Sequence, residues 1–74
     1  MENVYLIVIT KVPGGAMPVI SHGRETVAEL FEMAFNGEKI DGYQITVGGQ
    51  NRDANYVPRP NEIITVAKMI KGNL

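Results

Sequence analysis

At 74 residues the chain has room for one domain, residues 1–74, and one modest core. Its net charge is -1, and Lys11, Arg24, Lys39, Arg52, Arg59, Lys68 and Lys71 are scattered along it, so there is no basic patch to hold a phosphate backbone and no nucleic acid is expected as a partner. Cysteine is absent, which removes disulfides, iron–sulfur clusters, thiolate metal sites and a cysteine nucleophile together.

Met1-Glu2-Asn3 lacks the basic start of a signal peptide, and the apolar run from Val4 to Ile9 is too short for a signal core or a membrane span. A cytoplasmic protein without membrane contact is expected. From Val4 to Val12 the β-branched and aromatic residues predict a strand. Pro13-Gly14-Gly15 then offers a fixed φ followed by two permissive residues, which predicts a reversal into a return strand over Ala16 to Ser21. Pro18 cannot donate to a ladder, so that return strand belongs at a sheet edge.

Thr26-Val27-Ala28-Glu29 has the form of a capping box with Thr26 as N-cap. Val27, Leu30, Phe31 and Ala34 then recur at helical spacing, Phe35 borders the same stripe, and Glu25, Glu29 and Glu32 fall on the opposite side as a solvated stripe. Asn36-Gly37 is a suitable left-handed stop, so the helix is predicted over 27–36. A strand from Tyr43 to Val47, a tight turn at Gly48-Gly49 and a short polar edge strand from Gln50 to Ala54 follow. Tyr56-Val57, ahead of Pro58, is expected to be a local apolar anchor tucked under the sheet, and Ile63 to Ile70 forms the second long apolar strand.

The order is β-β-α-β-(β)-β, an α+β fold with one helix covering one face of a mixed four- to five-stranded sheet. The first and last strands are expected side by side and parallel at its centre. This order, Thr26-x-x-Glu29-Leu30, the Ile45-Thr46-Val47-Gly48-Gly49 hairpin, the turn Pro60-Asn61-Glu62 before Ile63-Ile64-Thr65-Val66, and Gly72 near the end resemble the β-grasp, or ubiquitin-like, fold. Within it, the likeness is closest to the small sulfur carriers of thiamine and molybdopterin synthesis. The resemblance implies a C-terminal Gly-Gly threaded into an activating enzyme that adenylates the terminal carboxylate. In Lys71-Gly72-Asn73-Leu74, Gly72 matches the first glycine and Asn73 stands in place of the second, so the carrier alternative implies a processed or degenerate tail.

Other chemistry is sparse. His22 is the one histidine, and Glu25 is its one nearby carboxylate at a useful spacing, so a solvated loop histidine is expected and no metal site. Ser21 has that histidine beside it but no triad. Gly14-Gly15 and Gly48-Gly49 lack the lysine and helix start of a phosphate cradle. Neither an enzyme nor a cofactor is expected.

One feature exceeds what a singly covered sheet requires, because the first strand is apolar in both registers. Val4, Leu6 and Val8 are assigned to the helix side, since Tyr5, Ile7 and Ile9 share a register with Lys11 and carry a tyrosine hydroxyl that prefers water. In the last strand Ile64 and Val66 are assigned inward. Tyr5, Ile7, Ile9, Ile63 and Met69, with Thr65 and Ala67, then form an uncovered apolar face that binds a protein partner or a second copy of the chain. The alternatives are that scattered exposed aliphatics are simply tolerated, or that the loop from Asn51 to Asn61 folds across them.

Overall fold

A computed structural model of the protein describes residues 3–69; Ile70 and the tail positions Lys71, Gly72, Asn73 and Leu74 lie outside them. The described chain is a small α+β unit whose elements are β1 (Tyr5–Val12), β2 (Gly15–Ser21), α1 (Val27–Ala34), β3 (Tyr43–Val47), β4 (Gln50–Asn51) and β5 (Ile64–Lys68). The five strands form one mixed sheet in the order β2-β1-β5-β3-β4. β1 and β5 are parallel neighbours, with Ile9 beside Ile64 and Lys11 beside Val66, as the helix-containing connection requires. β2 is an edge strand, in keeping with Pro18.

At the helix start all four donors that lack an intrahelical acceptor are satisfied. Thr26 N–H donates to Glu29 Oε1 (2.9 Å) and Glu29 N–H to Thr26 Oγ1 (3.2 Å), which closes the capping box. Val27 N–H donates to Tyr56 O (2.9 Å) and Ala28 N–H to Ala54 O (3.1 Å). That second pair explains why β4 stops at Asn51 instead of reaching Ala54: the chain leaves the sheet to bring its carbonyls to the helix. At the other end Phe35 caps the helix, and Asn36 and Gly37 take φ of 56° and 84°, the left-handed stop their residue types favour.

Val27, Leu30 and Phe31 are fully buried and share one core with Ile7 and Ile9 of β1 and Ile64 and Val66 of β5. Phe31 also meets Phe35 (5.0 Å between centroids) and Tyr43 (5.2 Å) at tilted angles favourable for aromatic pairs. Two residues outside the periodic elements complete the enclosure. Ile40 is buried in the helix-to-β3 connection, and Pro58 is buried where its carbonyl accepts from the Tyr5 hydroxyl (3.4 Å).

The register of β1 is opposite to the one expected. Ile7 and Ile9 are 1% and 0% exposed, with half-buried Tyr5 packed against the same core, whereas Leu6 and Val8 are 61% and 41% exposed. The physical reason lies at the two ends of the strand. Lys11 lays its side chain over the Phe35 ring (4.6 Å) and ends on Glu38 Oε1 (2.7 Å), so its charge is met at the rim of the core rather than within it. Tyr5 finds its polar partner at Pro58, at the opposite end. Both objections to an inward Tyr5, Ile7 and Ile9 are thereby removed. Ile64 and Val66 point inward as expected, and Ile63 is 62% exposed.

Candidate functional site

Alternation along the strands places Leu6, Val8, Thr10 and Val12 of β1 on the face away from the helix. Across the ladder to β2, Leu6 opposes Ile20, Val8 opposes Pro18 and Thr10 opposes Ala16. On the other flank Thr10 lies beside Thr65 and Val12 beside Ala67, which in turn oppose Thr46 and Gln44 of β3. No outward position of these four strands carries a charge, although the chain as a whole is 20% charged. The β2–β1 half is aliphatic except for Thr10. The β5–β3 half is neutral and polar, with its groups engaged locally: Thr46 Oγ1 donates to Thr65 O (3.4 Å) and Gln44 Nε2 to Asn51 Oδ1 (3.2 Å).

Of the residues expected on this face, Tyr5, Ile7 and Ile9 lie on the helix side instead. Ile63, one residue ahead of β5 and of the Ile9–Ile64 pair that opens its ladder to β1, is exposed. Met69 is exposed at the far end of β5, where its N–H donates to Gly42 O (2.9 Å) and it lines an open depression with Ile40 and Gln44. It does not join the Leu6, Val8 and Ile20 group. The loop after β4 does not cross the face, because Ala54 and Tyr56 are tied to the helix start and pack on the core from the helix side.

The histidine region is a clasp rather than a catalytic group. Glu25 Oε1 accepts from His22 N–H (2.8 Å) and from the Ser21 hydroxyl (3.2 Å), and Glu25 Oε2 lies 2.7 Å from His22 Nδ1, which must be the donor because an ionised carboxylate only accepts. The backbone N–H of His22, followed by its ring, holds the Glu25 carboxyl down at about 2. Ser21 is fully buried, donates to Glu25 rather than to the imidazole, and accepts from Gly23 N–H (3.1 Å), so it is not poised as a nucleophile. Glu25 therefore belongs to the turn that joins β2 to α1 and not to a solvated helical stripe, and His22 is paired rather than free in solvent.

A second cluster closes the other end of the layer. Glu38 accepts from Lys11 Nζ and, at Oε2, from the Tyr43 hydroxyl (2.6 Å); these bonds hold the carboxyl below its ordinary range and raise both Lys11 and Tyr43. Tyr56 and the Arg59 N–H both bond Glu62, fixing the turn before β5. Among the described residues no group of three or more His, Asp or Glu side chains is placed to hold a metal ion, and no helix is long and apolar enough to cross a membrane. The satisfied donors at the start of α1 leave no backbone cradle for an anion there.

No family model, no curated protein and no solved structure matches the chain. The account of its function rests on the geometry above.

Proposed function

We propose that this chain is a non-catalytic interaction module of the β-grasp, or ubiquitin-like, fold, which binds a protein partner or itself through the outer face of its sheet. The strand order β2-β1-β5-β3-β4, with the helix inserted between β2 and β3 and a parallel central pair, supports the fold assignment. One observation carries the functional reading: a face that none of the described residues covers, whose β1–β2 half presents Leu6, Val8, Pro18 and Ile20 with no charged side chain among its outward positions. Folding alone does not require this, since an uncovered sheet face is ordinarily polar at alternate positions. Contiguous exposed apolar patches larger than a few hundred Å² mark interaction sites in soluble proteins.

The test compares the wild-type chain with Leu6→Lys, first in sedimentation over a concentration series and then as immobilised bait. The proposal expects the lysine to reduce self-association or to abolish capture of a partner while the far-UV and near-UV circular dichroism stay unchanged. A wild type that is monomeric at every concentration and captures the same proteins as Leu6→Lys contradicts it.

A further inference from the structure

We infer that the occupant of the open face is a second copy of this chain, stacked sheet on sheet about a two-fold axis that runs across the strands. The inference rests on reading that face as an interaction surface, and it adds which partner and which geometry. With the axis so placed, β1 lies over β1 of the other copy and β2 over β2, running in opposite directions. The aliphatic half then meets the aliphatic half, and the neutral polar half meets its like. In a two-fold contact the same patch faces itself, residue i of one copy meeting residue j of the other and j meeting i, so a patch of one charge would repel itself. A face with no outward charge on β1, β2, β3 or β5 carries no such penalty. The same neutrality offers nothing to steer or select a charged foreign surface.

The edges of the sheet direct self-association to the face. Pro18 sits in the middle of the seven paired positions of β2, and an intact ladder requires its missing N–H to lie on the outer side, so that edge offers a broken row of donors to an added strand. The opposite edge, β4, is two residues long. The area is small. β1, β2, β3 and β5 run eight, seven, five and five residues, which at about 3.4 Å each and about 4.8 Å between strands define a footprint of roughly 400 Å² per copy. Two such faces bury on the order of 800 Å², below the size of a stable specific interface, which implies a weak, readily reversible dimer rather than a permanent one.

The decisive experiment is sedimentation equilibrium of the full chain from about 10 μM to about 1 mM, with Val8→Lys and Ile63→Lys alongside. The two variants change different elements at exposed positions, and circular dichroism confirms which of them retains the fold. The expected result is a dimer fraction that rises with concentration for the wild type, with dimerisation weakened at least tenfold in each folded variant. A wild type that stays monomeric throughout overturns the inference, as does a dimer that both folded variants leave unchanged. If a monomeric wild type captures another protein that Val8→Lys loses, the second copy is excluded and the reading of the face survives. If a monomeric wild type and its variants capture alike, both fail.

Discussion

On the covered face of the sheet Ile7 and Ile9 are sealed in one core with Leu30 and Phe31, while one residue away on the same strand Leu6 and Val8 stand in solvent. The two registers of β1 are almost equally apolar, so hydrophobicity of the strand did not select between them. Selection came from the ends. Lys11 found a carboxylate at the rim and Tyr5 a carbonyl, which made Tyr5, Ile7 and Ile9 the register that could be buried without an unsatisfied polar group. Leu6, Val8 and Ile20 were left for the other side. Equal apolarity on two faces with one helix to cover them is how a small sheet comes to carry a surface it does not use for its own folding.

Truncations on the two faces sharpen this contrast most. Ile9→Ala and Leu30→Ala should each cost about 2–5 kcal/mol in denaturant titrations, a large part of what a domain of this size holds. Leu6→Ala should fall within about 0.5 kcal/mol at concentrations where the chain is monomeric. Ile7→Lys should not fold, since it places a charge among fully buried side chains, whereas Leu6→Lys should fold. Comparable losses for Ile9→Ala and Leu6→Ala would erase the distinction between the faces.

Smaller effects probe what fixes the helix over its own face. Thr26→Ala removes half of the capping box and should cost about 1 kcal/mol by thermal or chemical unfolding. The Glu25 clasp adds a pH signature. Its carboxyl titrates at about 2 in the folded chain, below the ordinary 4.5, so its stabilisation is fully present above about pH 4.5 and is lost as the pH falls toward 2. The stability difference between wild type and Glu25→Gln should accordingly shrink over that interval. A difference that stays constant from pH 5 to pH 2 would show that the carboxylate is not what holds the turn.

Much of the architecture was legible because it rests on local chemistry. The Thr26–Glu29 box, the Val27, Leu30 and Phe31 stripe, Pro18 at an edge and Gly48-Gly49 at a hairpin each act through neighbours in the chain. Gly48 and Gly49 take φ of 60° and 86°, the pair a two-residue reversal of right-twisted strands demands. The parallel β1–β5 pair followed from the connection between them. The register of β1 was not legible, because it depends on Glu38 and Pro58, distant in sequence and without any periodic signal. The same holds for the short β4 and for the loop carbonyls that complete the helix start: the run Arg52 to Val57 shows nothing in its composition that assigns Ala54 and Tyr56 to α1. The outer face was foreseen as a consequence of double apolarity, with the wrong side of the first strand assigned to it.

The most direct measurement is methyl-resolved NMR of the full chain through a dilution series. The account predicts that the methyl resonances of Leu6, Val8, Ile20 and Ile63 shift progressively with concentration, while those of Ile7, Ile9, Val19 and Ile64 stay fixed. Movement of the second set, or the same spectrum at every concentration together with no response of the first set to any added partner, would contradict it.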